Sequence, residues 1–310
     1  MSVETAVHDP TDRIGFVPTD TDARSRESTT LLVRPDHFGV SYRINPYMRP
    51  EAGADAARAR EQWDDLRGVY NDLPARTTVL DPDEAVAGAR DRCPAVQGPT
   101  QLPDMVFCAN HGLALPDERG VVLSRMATSE RADEVDYFAA WCEDQDYTVH
   151  TVESGPFEGT GDAIWHPGRR LLWGGYGIRT SRAVYDELAD LLGVPVLGLE
   201  LVDKRYYHLD VCFAPLDQST VLVEPAAFTD ASRERIEGCF DRVIEAGPGE
   251  SESGLACNCH PIDGEHVVMG AGNPETAARV ADAGFEVHEV PTDEFQKAGG
   301  SVRCLTLSLG

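Results

Sequence analysis

From residue 31 to the C-terminus, short aliphatic runs and amphipathic stretches alternate in a recurring order, and that order constrains the fold more than any other feature of the chain. Residues 31–35 read as a strand closed by Pro35, 54–73 as a helix and 77–80 as a strand. Residues 106–109 and 121–123 read as strands around a turn, followed by a helix over 132–145. The pattern repeats with a strand at 171–173, a helix at 182–192 and a strand at 194–199, then with a strand-like run at 206–213, a strand at 221–223 and a helix at 232–245. It closes with a strand at 267–269, a helix at 275–283 and a strand at 285–288. Runs of this length and period, separated by turn residues, fit strands and helices of an α/β protein. The order strand, strand, helix, strand implies a repeated α/β unit rather than a plain doubly wound sheet. Residues 1–30 are rich in Asp, Arg, Thr and Ser with few apolar anchors, so they read as an acidic, flexible N-terminal tail, and 31–310 as a single domain.

Charge narrows the function. Asp and Glu number 53 against 27 Lys and Arg, a formal net charge of -26, and the only lysines are Lys204 and Lys297. A surface this acidic repels phosphate and lacks the basic stripe that nucleic acid requires. Its self-repulsion destabilises a compact state at low salt, whereas at 1 M salt the Debye length falls to about 3 Å and removes most of that penalty. The composition therefore predicts a salt-rich, cytoplasmic setting. No run approaches the ~20 apolar residues of a membrane helix, and the acidic N-terminus is unlike a secretory leader. The eight cysteines, at 93, 108, 142, 212, 239, 257, 259 and 304, are scattered in the manner of reduced thiols. Cys257, Cys259 and His260 with His266 could suggest a metal clip, but the spacing is wrong for zinc and the preferred reading is buried thiols on a strand, with no metal or cofactor.

Reactive chemistry concentrates near the C-terminus. The segment Gly299-Gly300-Ser301-Val302-Arg303-Cys304 presents a cysteine beside an arginine, a setting in which cations and backbone N–H groups would lower a thiol pKa and favour the nucleophilic thiolate. His208-Leu209-Asp210 offers a base, with both polar side chains on one face if the segment is a strand. Taken singly, such residues are more often structural: a core histidine, a capping acid, a solvated arginine.

Four more segments change that balance. They are residues 104–112 with Asn110, 123–131 from Leu123-Ser124-Arg125 to Glu130-Arg131, 157–162 (Phe157-Glu158-Gly159-Thr160-Gly161-Asp162), and 175–180 with Arg179. With His208 and Cys304 they occur in the order of the guanidino-group-modifying superfamily, which this chain resembles from about residue 31 to its end. That superfamily includes arginine deiminases, dimethylarginine hydrolases, amidinotransferases and arginine dihydrolases. The resemblance implies a five-bladed α/β propeller of pentein type around a central pocket. It implies Cys304 as nucleophile, His208 as acid and base, and Glu158 and Asp210 as carboxylates gripping a guanidinium. Arg131 and Arg179 would bind the substrate carboxylate, with Arg125 a rival to Arg131. Asp162 would contact substrate or support its loop, and Asn45 would edge the pocket.

One departure selects a reaction. Deiminases, dimethylarginine hydrolases and amidinotransferases carry an aspartate where this chain has Asn110, and dihydrolases of the superfamily carry asparagine. An amide both donates and accepts, so it could retain the neutral ureido group of citrulline for a second attack. The sequence therefore favours arginine dihydrolase, with the single-step enzymes of the same site as alternatives. The partner it implies is a small guanidino compound, not nucleic acid or membrane, and a homo-oligomer is left open.

Overall fold

The chain lays down β1 (Val7–His8), β2 (Thr29–Val33), α1 (Ala56–Asp72), β3 (Arg76–Leu80) and α2 (Pro82–Ala89). It continues through β4 (Gly112–Ala114), β5 (Gly120–Leu123), α3 (Glu134–Asp144) and β6 (Thr148–His150), then β7 (Ala163–Trp165), β8 (Leu172–Tyr176), α4 (Val184–Leu192) and β9 (Val196–Glu200). The last part holds β10 (Phe213–Pro215), β11 (Thr220–Val223), α5 (Asp230–Cys239), β12 (Arg242–Glu245), α6 (Glu250–Ser253), β13 (His260–Pro261), β14 (His266–Gly270), α7 (Pro274–Asp282), β15 (Glu286–Val290), α8 (Asp293–Gln296) and β16 (Leu307–Leu309). This computed structural model describes residues 3–25, 29–89, 102–115 and 118–310, so Cys93 lies outside it.

Five small sheets share one topology. In β4-β5-β6, β7-β8-β9, β10-β11-β12 and β13-β14-β15, the first strand runs antiparallel to the second and the third parallel to it, with a helix between second and third. The remaining sheet is assembled from both ends of the chain: β16 pairs antiparallel with β2, and β3 pairs parallel with β2. The middle strands are the continuous apolar runs visible in the sequence, and Leu31–Val33, Val121–Val122 and Val267–Met269 are inaccessible to solvent because both sheet faces are covered. Helices supply one cover: α4 buries Val184, Tyr185, Leu188, Ala189 and Leu192, the spacing of a single helical face, and Gly193 at φ +62° ends it.

Four expectations fail, each for a physical reason. Residues 3–25 pack instead of trailing: β1 adds in parallel to β9, and the Arg235 guanidinium takes the carbonyls of Asp9, Pro10 and Asp12. Residues 106–109 turn rather than extend, because the buried Arg131 guanidinium captures the carbonyls of Asp104 and Phe107. Residues 206–213 are not one strand: Asp162 Oδ1 accepts from the Leu209 amide, and Leu209–Val211 forms a 3-10 turn before β10. The helix over 232–245 stops at Cys239, since Val243 and Ile244 pair with Val221 and Leu222 in β12.

Candidate active site

The polar residues of interest lie on turns that precede the first strands of the sheets. Asn110 sits in the 3-10 turn Cys108–His111 before β4, Glu158 leads into the turn Gly159–Gly161 before β7, and His208 leads into Leu209–Val211 before β10. Asn258 precedes β13, and Cys304 lies in the turn before β16. Equivalent positions of five units thus converge: Asn110, His208 and Cys304 line one cavity, with Glu158 against His208 and Asn258 against Cys304. Two glycines make the approach possible. Gly159 has φ +57°, and a Cβ there would lie 2.7 Å from the Gly112 carbonyl oxygen; a Cβ on Gly161 would lie 2.3 Å from Asn110 Nδ2.

These turns surround a narrow cavity of about 10 Å³ lined in part by Asp104, Asn110, Arg179, Tyr207, His208 and Cys304. A more open cleft lined by Arg24, Trp165 and Arg303 lacks these groups. Cys304 Sγ donates to Asp210 Oδ2 at 3.3 Å and accepts from Asn258 Nδ2 at 3.2 Å. The Asn258 amide oxygen accepts from the backbone N–H groups of Ser301 and Cys304, so one side chain fixes both the Cys304 sulfur and its turn. Burial, followed by the charge of Asp210, pushes the Cys304 thiol well above its usual range. Burial also raises Asp210. The expectation of a thiolate favoured by local cations is therefore corrected: Arg303 donates to Ser308 Oγ at 3.4 Å and is not paired with the sulfur.

The opposing group is charged. His208 Nε2 meets Glu158 Oε2 at 2.5 Å, and Arg179 Nη1 lies 3.3 Å from both Glu158 oxygens. Burial pushes the Glu158 carboxyl up, but the bond and charge of His208, with Arg179 and Arg131, outweigh it and hold Glu158 well below the usual carboxylate range. Asn110 Nδ2 lies 3.5 Å from His208 Nδ1, on the side of the ring away from Glu158. Arg179 also donates to the Ile44 carbonyl at 2.6 Å and lies 5.2 Å from the Tyr207 ring centre.

The other expected residues sit differently. Arg131 borders the cavity, yet all three of its guanidinium nitrogens are engaged, by Glu134, Asn110 Oδ1 and the carbonyls of Asp104 and Phe107. It holds Asn110 in place rather than presenting a free fork. Arg125 is exposed and donates to the Glu153 carbonyl. Asp162 lies behind the cavity, accepting from Thr180 Oγ1 and the Leu209 amide, so it supports the His208 turn. Asn45 lines the cavity but its amide is taken up by the backbone of Tyr47, Met48 and Ala298. Asp210 is brought beside Cys304, although through a turn and not along a strand face.

Sequence reasoning missed two residues. Asn258 was hidden between two cysteines. Asp104 lines the cavity with Oδ2 accepting from Tyr42 and Oδ1 without a hydrogen-bond partner among the described residues, and burial pushes it up to about 7. A buried acid two residues before Val106-Phe107 was the available signal for it. The considered metal clip does not assemble: Cys257 contacts Ser251, His260 bonds Tyr70 and Ser308 through its two nitrogens, and His266 pairs with Asp263. Cys257 and Cys259 are buried thiols as expected, but in a turn instead of a strand.

Comparison with known proteins gives concordant matches. A family model for N,N dimethylarginine dimethylhydrolase, eukaryotic, matches residues 95–309. The bifunctional arginine dihydrolase/ornithine cyclodeaminase AgrE of Nostoc sp. is 38% identical over 280 residues, covering 89% of this chain and 37% of that protein. The chain thus spans just over a third of the length of that relative. The N(G),N(G)-dimethylarginine dimethylaminohydrolase of Mycobacterium tuberculosis is 36% identical over 279 residues, covering 90% of this chain and 84% of the relative. Among solved structures, the product-bound N-terminal domain of ArgZ, an arginine dihydrolase from cyanobacteria, superposes with TM-score 0.80 at 36% identity, covering 91% of this chain and 97% of that one.

Proposed function

The chain belongs to the dimethylarginine dimethylaminohydrolase family of guanidino-group-modifying enzymes, and from that premise we propose that it is an arginine dihydrolase, converting arginine and two waters to ornithine, two ammonia and carbon dioxide. The observation that carries this choice is Asn110, an amide held by Arg131 in the cavity that also holds Cys304 and His208. Its likeness to AgrE and ArgZ supports the same reading. We further read the five like sheets as blades of an α/β propeller, the arrangement that brings equivalent turns to one centre.

The chain's own arginine illustrates the recognition. Arg179 places a guanidinium on Glu158, the contact a substrate guanidinium would take over. Displaced, Arg179 is free to bind the substrate carboxylate, while Asp104 Oδ1 and the Ile44 carbonyl are acceptors for its ammonium. Asp210 would grip the far side of the guanidinium beside Cys304.

Arrival of the cation favours the Cys304 thiolate, which attacks the central carbon; the thiol proton leaves on the first ammonia, carried by His208. His208 then deprotonates the water that releases citrulline. In the second round Cys304 attacks the ureido carbon, ammonia departs, and hydrolysis yields a carbamate that breaks down to ornithine and carbon dioxide. Asn110 retains the neutral citrulline between rounds.

Incubation with arginine in molar salt, with ornithine, citrulline and ammonia quantified, tests this. Two ammonia per ornithine are expected. Citrulline alone would make it a single-step deiminase, and turnover of dimethylarginine but not arginine would make it a dimethylarginine hydrolase. Among the described residues no helix is long and apolar enough to cross a membrane, and with the net charge of -26 this supports a salt-rich cytoplasm. The melting temperature should rise between low and molar potassium chloride; an unchanged value removes the salt adaptation.

A further inference from the structure

We propose that His266, Glu286 and His288 form a binding site for a divalent transition cation of the zinc type, at the N-terminal ends of β14 and β15. The parallel register sets His266 opposite Glu286, and the two-residue period of β15 brings His288 onto the same sheet face. One ligand atom from each residue lies within 4.8 Å of the others. His266 Nε2 is 3.8 Å from Glu286 Oε2, and His288 Nε2 is 3.6 Å from Glu286 Oε1. These separations are too long for hydrogen bonds, which fall at roughly 2.7–3.2 Å. They are within a few tenths of an ångström of the ~3.3 Å between neighbouring ligands held at about 2.0–2.1 Å around a tetrahedral ion.

The histidines are prepared for such a role. Asp263 Oδ2 sits 2.8 Å from His266 Nδ1, and its other oxygen accepts from the backbone N–H groups of Glu265 and His266, which fixes the carboxylate. A carboxylate at Nδ1 holds the proton there and turns the Nε2 lone pair toward Glu286, the orientation that an outer carboxylate imposes on metal-bound histidine. His288 Nε2 has no hydrogen-bond partner among the described residues. The two rings stack with centres 5.4 Å apart at 29°, so their Nε2 atoms can face one ion. Side-chain exposures of 21% and 22% for the histidines and 69% for Glu286 leave an entry path and a free position for water.

The donor set chooses the ion class. Two imidazoles and one carboxylate suit zinc, nickel, copper or cobalt, whereas magnesium and calcium prefer oxygen alone. The site is separate from the reaction centre: the opposite end of β14, at Gly270, abuts Ser301 of the Cys304 turn. Its effect would be to clamp β14 to β15 at their starts.

Calorimetric titration of the chelator-stripped protein with zinc chloride, paired with absorption spectra of the cobalt form, provides the test. One equivalent should bind, with cobalt bands of nitrogen and oxygen ligation and no thiolate charge-transfer band. The double variant His266→Ala, His288→Ala should lose the site, and Asp263→Asn should weaken it about 10–100-fold. Circular dichroism checks that each variant is folded, and Glu286→Gln serves as a near-isosteric third variant with weakened binding. No stoichiometric binding to the wild type, unchanged binding in the double or Glu286→Gln variant, or a thiolate band would overturn the proposal.

Discussion

Behind the His208 side and the Cys304 side of the cavity stand similar groups in opposite states. Glu158, contacted by His208 and Arg179, is held ionised despite burial. Asp210 and Cys304 are as deeply buried, yet no cation hydrogen-bonds either one among the described residues, and burial pushes both up. Burial thus has opposite outcomes according to whether a cation is hydrogen-bonded to the group. One side is ready to grip a guanidinium. Under the proposed reaction the other is completed by it, because the substrate's own charge supplies a cation beside Asp210 and Cys304. In the proposed reaction, guanidinium binding and activation of the Cys304 thiol are therefore coupled in the first round.

The largest effect that can break this contrast comes from Cys304→Ser. An alcohol at its ordinary pKa cannot replace the thiolate, so kcat should fall by about 10⁴-fold or more while the fold, followed by circular dichroism, persists. Near-native turnover would move the nucleophile elsewhere and dissolve the distinction between the two sides. Asn258→Ala sharpens it. Loss of the amide that donates to Cys304 Sγ should reduce kcat/KM by about 10²-fold and shift the alkaline-going limb of the pH profile to higher pH. A merely structural Asn258 would leave the pH midpoint where it is in the wild type.

Asn110→Asp addresses the charged side, with a smaller effect on rate and a qualitative one on product. Arginine should still lose one nitrogen, because Glu158, His208 and Cys304 remain. Citrulline should then escape, since a carboxylate cannot donate to its carbonyl. The ornithine to citrulline ratio should drop about tenfold, a change of ~1.4 kcal/mol between the two fates. An unchanged ratio would separate Asn110 from the second round.

What could be read from the sequence follows the same division. Cys304 and Glu158 stand out as polar residues in glycine-marked turns, Asn110 and His208 as polar residues at or within runs that read as strands, and the middle strands as apolar runs. The first strands of the sheets, such as His260–Pro261, are too short to register as a period. The turns around Asn110 and His208 are set by Arg131 and Asp162, far away in sequence, so they passed for strands. Asn258 and Asp104 were missed for a related reason: their importance lies in which atoms they meet. The N-terminal segment looked free because its anchors are polar, backbone carbonyls held by Arg235 and the Asp9 carboxylate held by Arg182, and not the apolar residues that mark a core in composition.

The smallest effect concerns Asp104, which borders the charged side but behaves like Asp210. Burial raises its carboxyl to about 7, with Arg131 lowering and Glu134 raising it. If its ionised form receives the substrate ammonium, KM for arginine should fall as pH rises from about 6 to about 8, by at most tenfold per unit below the midpoint. Asp104→Asn should flatten that dependence and raise KM at about pH 8. Stability gives an independent reading. A carboxyl whose folded pKa lies above its unfolded value keeps its proton in the native state while the unfolded chain ionises, so its contribution is fully present below about pH 4 and is lost as pH rises through about 7. The melting temperature of Asp104→Asn relative to wild type should therefore improve from about pH 4 to about pH 8. A difference that stays constant over that range would place Asp104 with the ionised Glu158 rather than with Asp210 and Cys304.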